Sequence, residues 1–189
     1  MKITAFFGSP RIAGNTDLLL QEALKPIEAA GHEVSLFKLN SLSIRPCQDC
    51  GGCLKTGVCI VKDDMTEIYD AIRTADRFIL ASPIFFYSVS AQAKAMIDRC
   101  QAFWCEKYLL KKDIPAGRHG RKGLLLVAAG MKKDAAVTCA DTVARIFFRT
   151  ISVPEHEMVA ALGADAKGDV ITHPTALPDA LAAGIRLIS

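Results

Sequence analysis

The sequence has no long apolar run. Its most continuous stretch, 123–131, is less than half of what a bilayer-crossing helix requires. The segment after Lys2 is too short for the apolar part of a secretory leader. Aromatics are scarce, at 7% with one Trp, and no charge dominates: 23 Lys and Arg against 20 Asp and Glu give a formal +3. Nucleic-acid binders gather positive charge into a face or stripe, and the one basic cluster here, GRHGRKG at 117–123, reads as a solvated turn ahead of a strand. His32, His119, His156 and His173 have no HxxxH spacing, which argues against a histidine metal site. There is no GxSxG nucleophile elbow. With 51% hydrophobic and 23% charged residues, the chain is too apolar to be disordered. These features predict a cytoplasmic single domain over 1–189, with no nucleic-acid or membrane partner.

Cysteine is what the sequence has in excess. There are seven, and Cys47, Cys50, Cys53 and Cys59 follow the pattern C-x2-C-x2-C-x5-C within a loop at about 44–62. In a core-forming chain without an export signal, ligation or catalysis outweighs crosslinking. Two-residue spacers bring sulfurs round adjacent irons of one cubane cluster, and Gly57 in the longer spacer lets Cys59 close the same cluster. Structural zinc commonly uses two CxxC knuckles a dozen or more residues apart. Bacterial ferredoxins place their fourth cysteine after x3, ahead of Pro, on a second cluster. Zinc and a thiol pair cycling to a disulfide stand as alternatives. Cys100, Cys105 and Cys139 fall on amphipathic stretches and read as core thiols.

Strand-like runs at 2–7, 33–39, 77–81, 123–129 and 156–160 alternate with helical periodicity at 16–30, 64–75, 91–111, 135–152 and 177–188. Asp64-Met65-Thr66-Glu67 has the form of a capping box, with Asp in the Ser/Thr role. Lys94 and Asp98 are spaced for a surface ion pair, and Arg99 is a candidate for a subunit contact. Alternating strands and helices predict a flavodoxin-like three-layer α/β sandwich with a five-stranded parallel sheet in the order 2-1-3-4-5. In that fold the segments 8–16, 82–90 and 129–134 converge on the carboxyl edge of the sheet, where ligands bind.

Gly8-Ser9-Pro10-Arg11-Ile12-Ala13-Gly14-Asn15-Thr16 joins the first strand to the first helix. Glycines allow a tight turn, helix-start N–H groups attract phosphate, and Ser9, Arg11, Asn15 and Thr16 add donors. A mononucleotide-type phosphomonoester suits it; helix capping by Asn15 or Thr16 is the structural alternative. The Walker A lysine is missing, as are GxGxxG and a ribose-binding acid at the end of the second strand. The apolar segment 82–90 suits a flat heteroaromatic ring, or else packs on the next helix.

Together these motifs resemble the flavodoxin-like NAD(P)H-dependent FMN reductase superfamily and, within it, the iron–sulfur flavoproteins. The resemblance covers nearly the whole chain. It rests on GSPRxxGNT at 8–16, the four cysteines followed by Lys62-Asp63-Asp64-Met65, SPIFFYSVSAQAKAMIDR at 82–99, and AKGDV at 166–170. It implies FMN phosphate on Ser9, Arg11, Asn15 and Thr16, with Gly14 in the turn. It implies the isoalloxazine against Pro83, Ile84, Phe85, Phe86 and Tyr87, with Gly130 beside the ring, and a [4Fe-4S] cluster on Cys47, Cys50, Cys53 and Cys59. Chemistry would be carried by FMN, with no catalytic protein residue. NAD(P)H is the implied cosubstrate, or a ferredoxin the donor, alongside a small-molecule acceptor, in a homodimer or homotetramer. A cluster-free FMN or quinone reductase and a non-enzymatic electron carrier are the competing expectations. Met131-Lys132-Lys133 departs from the family's glycine-rich versions of that loop.

Overall fold

A computed structural model describes residues 1–112, 114 and 119–189. Strands β1 (Lys2–Phe7), β3 (Arg77–Phe85) and β5 (Lys122–Ala129) are buried along most of their length. Helices cover both faces of these inner strands, which is why they read as near-continuous apolar runs. The outer strands β2 (Glu33–Lys38) and β6 (His156–Leu162) are less buried and partly alternate. All five pair in parallel in the order β2-β1-β3-β5-β6. Counting parallel strands alone, this is the expected 2-1-3-4-5. A two-residue strand, β4 (Ser88–Val89), lies off that path and pairs antiparallel with the end of β3.

Helices α1 (Asn15–Ala29) and α6 (Ala176–Ile188) cover one face, and α2 (Met65–Thr74), α3 (Ala91–Arg99) and α5 (Asp134–Thr150) the other. Alternate strand residues point to opposite faces. Thus Ile3, Ala5 and Phe7 pack with Leu19, Leu20 and Ala23, while Phe6 meets Phe147 edge-on across the sheet's other side. The α1–α6 contact is close: a Cβ on Gly184 would lie 2.2 Å from the Ala23 carbonyl oxygen.

Several expectations are corrected. The helix expected over 91–111 is three pieces: α3, the short α4 (Gln101–Trp104), and a π-helical turn at Cys105–Leu109. Strand β3 continues past residue 81 because Ser82 and Pro83 pair with Val127 and Ala128. Asp64 does occupy the N-cap position of α2 but makes no side-chain capping bond; it accepts from the Ser43 N–H, and Asp63 accepts from the Met65 N–H. Of the basic run at 117–123, Gly117 and Arg118 lie outside the described residues. Arg121 is buried rather than solvated: its guanidinium donates to the carbonyls of Ile72 and Arg73, at the end of α2, and of Ile151, just after α5. A cation at helix carboxyl ends meets the negative pole of each dipole. Burial draws its pKa down to about 10. Cys139 is exposed, not a core thiol, whereas Cys100 and Cys105 are buried. The Lys94–Asp98 pair forms as expected. Among the described residues no helix is long and apolar enough to cross a membrane.

The Gly184 contact is testable. Gly184→Ala should lower unfolding free energy by about 1–3 kcal/mol through overpacking, read from urea denaturation; an unchanged midpoint would contradict the close α1–α6 approach.

Candidate functional site

The segments that end β1, β3 and β5 meet at the carboxyl edge of the sheet. Gly8 N–H donates to the Ala81 carbonyl at 2.8 Å, and the Ser90 hydroxyl donates to the Gly8 carbonyl at 2.6 Å. Ser90 also accepts from Ala93 N–H to cap α3, and its own N–H donates to Ser82 Oγ. One buried serine therefore ties the first turn, the end of β3 and the start of α3 together.

Beside this junction is a cavity of about 170 Å³ lined by Ser9, Arg11, Asn15, Thr16, Pro83, Ile84, Phe85, Gly130 and Asp165, among others. A wider cavity of about 480 Å³ shares Ile84, Ala129, Gly130 and Asp165 with it and adds Phe86, Tyr87, Met131 and Ala136. The two form one trough, polar at the Ser9 end and apolar at the Phe86 end. Every residue expected at the cofactor site lies on its wall except Gly14, which is the N-cap of α1. No side chain caps that helix, and a helix start without a side-chain cap leaves first-turn N–H groups available to an anion.

Asn15 does not cap the helix. Its amide nitrogen donates to the carbonyls of Ala164 and Ala166, and its oxygen accepts from the N–H groups of Gly168 and Val170. All four bonding positions of the side chain are taken. Ala164 and Asp165 line the trough, and AKGDV buttresses them: Asn15 holds its backbone, and the Asp169 carboxylate accepts from the N–H groups of Asp165 and Ala166. Sequence reasoning noted AKGDV but assigned it no position, and it missed Asp165.

Phe86 and Tyr87 occupy the tip of the β3–β4 hairpin with φ of 48° and 65°. Two successive residues at positive φ mark a type I′ turn, which favours Asn-Gly; large side chains there cost about 1–3 kcal/mol each. Phe86 is fully exposed. The fold thus holds an aromatic pair over the trough in a conformation that local preference alone would not choose.

The cysteine loop forms a second site. Cys47, Cys50, Cys53 and Cys59 line one cavity with Leu54, Ile60, Arg99 and Ala102. Arg99, expected near a subunit contact, is instead fully buried. Its guanidinium pairs with Asp63 at 2.6 Å and donates to the carbonyls of Arg45 and Val61, clamping the two ends of the loop. Its Nε–H is buried without a partner among the described residues. Gly57 has φ of 74° and sits where a Cβ would come within 2.9 Å of Glu106 Cβ, which seats the loop against the π-helical turn. From that turn the Cys105 thiol reaches 3.6 Å from Cys53. Burial and this neighbour push the Cys53 thiol up to about 11. Sequence patterning put Cys105 in the core but carried no signal for its contact with Cys53, because the two lie 52 residues apart.

Among the described residues no three His, Cys, Asp or Glu side chains are grouped to hold a single ion. A cubane takes one thiolate per iron and so spreads its ligands more widely. The enclosed space is about 30 Å³, room for about one water. A larger group needs the wall carrying the exposed Cys47 and Cys50 to move outward. The donor set itself fits: four thiols with an unpartnered, buried cationic N–H on the same cavity suit an anionic thiolate-bound group.

Residues 1–165 match the family described as NADPH-dependent FMN reductase. The chain belongs to that family, in its iron–sulfur flavoprotein branch. An iron–sulfur flavoprotein of Methanocaldococcus jannaschii is 31% identical over 155 residues, covering 82% of this chain and 74% of the relative. One from Archaeoglobus fulgidus is 37% identical over 72% of this chain and 59% of the relative. One from Methanosarcina thermophila is 34% identical over 61% of each. The chain spans less than two thirds of the length of the last two relatives. Among solved structures, an NAD(P)H:quinone oxidoreductase from Methanothermobacter marburgensis aligns with a TM-score of 0.73 at 18% identity, covering 100% of this chain and 98% of the other. An FMN-dependent NADH-azoreductase from Bacillus anthracis in complex with FMN gives 0.72 at 13%, covering both chains fully. At these identities the likeness is one of fold.

Within this FMN reductase family member, the buried Asp63–Arg99 pair is the first target. Asp63→Asn leaves the guanidinium without its counter-charge and should cost about 3–5 kcal/mol of stability. Burial would raise the Asp63 carboxyl, but Arg99 and the N–H groups of Arg45 and Met65 hold it below the usual value of 3.8. A depressed carboxyl stabilises the fold fully above its unfolded value and loses that contribution as pH falls through the folded one. Denaturation of the wild type should therefore show an acid-side loss that Asp63→Asn lacks; identical pH profiles would contradict the pairing.

Proposed function

We propose that this chain is a flavin-dependent oxidoreductase that passes electrons between a reduced donor and an acceptor through FMN in the carboxyl-edge trough and a [4Fe-4S] cluster on the cysteine loop. The observation that carries the reading is the continuous trough itself, which runs from an uncapped helix start to an aromatic turn. A phosphate and a flat ring on one molecule need that combination. FMN bound there would supply electron exchange with two-electron and one-electron partners alike.

The chain's own residues divide the work. The first-turn N–H groups of α1, the hydroxyls of Ser9 and Thr16 and the Arg11 guanidinium hold the phosphomonoester. Asn15 and Asp169 hold the loop that closes the trough. Pro83, Ile84, Phe85, Phe86, Tyr87 and Gly130 form the ring's surroundings, and backbone N–H groups there would stabilise negative charge on a reduced ring. No acidic or basic side chain is needed as a catalyst when the reacting atoms belong to the cofactor. Cys47, Cys50, Cys53 and Cys59 would bind a cluster that exchanges single electrons. The donor is NAD(P)H or a ferredoxin, the acceptor a small molecule, and the exposed Phe86 suits a homodimer or homotetramer in which a second copy covers the turn.

Anaerobic purification with flavin, iron and sulfide quantitation tests this reading. About one FMN with about four iron and four sulfide per chain is the expected result for a single cubane. FMN without iron or sulfide would remove the cluster and leave a flavin reductase. Protein that cannot take up FMN would overturn the proposal.

A further inference from the structure

We infer that Arg99 is the built-in electrostatic partner of the group on the cysteine loop: its Nε–H donates to a sulfur of that group and its charge favours the reduced state. The inference rests on the cluster reading above and adds a residue role to it. Arg99 is among the largest fully buried side chains in the chain and lines the same cavity as all four thiols. Four of its five N–H donors are accounted for. Nη1 serves Asp63 and the Arg45 carbonyl, Nη2 serves Asp63 and the Val61 carbonyl, and only Nε–H is left without a partner among the described residues. A buried cationic donor left unpaired costs more than an ordinary lost hydrogen bond, so the arrangement is understandable where a ligand supplies the acceptor.

The structure also holds Arg99 rigidly. Asp63 and the two loop carbonyls fix the guanidinium plane, and the Arg99 carbonyl accepts from the Tyr69 hydroxyl at 2.8 Å. A cluster with four thiolates becomes more negative on reduction, so a fixed cation and an N–H donor beside its sulfurs stabilise the reduced form more than the oxidised one. Hydrogen bonds to sulfur and local charge are among the terms that set such potentials. Asp63 partly offsets the cation, and the directional Nε–H donor is then the term that a neutral pair would still provide.

Two variants test this in anaerobic holoprotein. Arg99→Lys keeps the cation beside Asp63 but has no Nε–H at that position; Arg99→Met combined with Asp63→Asn removes both charges together and avoids a lone buried carboxylate. Redox titration of the cluster signal is the readout, with iron and sulfide content measured on the same samples. Both variants should retain the cluster while, at a fixed solution potential, the reduced-to-oxidised ratio falls about tenfold, equivalent to about 59 mV for one electron. A cluster-bearing variant of either kind with the wild-type ratio overturns the inference while leaving the cluster reading intact. Wild-type protein without iron and sulfide overturns both.

Discussion

A parallel sheet cannot turn back on itself through tight hairpins. Each of its strands must be followed by a crossover, so every strand finishes on the same edge. With β1, β3 and β5 buried on both faces, that edge is where the chain can be polar and irregular without disrupting the core. The trough is a consequence: Ser9 and Arg11 follow β1, Phe85 and Phe86 follow β3, Gly130 follows β5, and Asp165 follows β6. What remains is to hold these segments in register, and two side chains do most of it. Ser90 joins Gly8, Ser82 and Ala93, and Asn15 joins the start of α1 to the segment after β6.

The cysteine loop is held on a different principle. Between Ser41 and Met65 the chain contains no helix or strand, so no backbone ladder fixes its course. A buried ion pair at its base, Asp63 with Arg99, substitutes for that ladder. The early end of α3 and the π-helical turn after α4 shape the surface on which the loop rests, bringing Arg99, Ala102, Cys105 and Glu106 to it. A regular helix through 91–111 would present a different set of residues. The irregularity is therefore part of what makes the loop's cavity.

Fold class and strand order were legible because burial leaves a periodic trace. The inner strands are near-continuous apolar runs, and the helices repeat at about 3.6 residues. The short-range motifs at 8–16 and 47–59 were legible for the same reason: their residues are neighbours in the chain. The residues misjudged from sequence are those whose partners are distant. Arg99 and Arg121 looked like surface cations because charged side chains usually are; their partners lie 36 to 54 and 30 to 49 residues away respectively. Asn15 looked like a cap or a phosphate donor, and its side chain is engaged with a segment about 150 residues on.

By itself, then, the amino-acid order determined the alternation of strands and helices, the parallel sheet that alternation requires, and the two clusters of chemically apt residues. These are local or periodic properties. Tertiary structure alone decided which cations are buried, which carboxylate neutralises Arg99, that Cys105 touches Cys53, and that Ala164 and Asp165 line the trough. Each of those depends on long-range contacts whose energies are set by burial and directional hydrogen bonding, and neither quantity exists until the chain is packed.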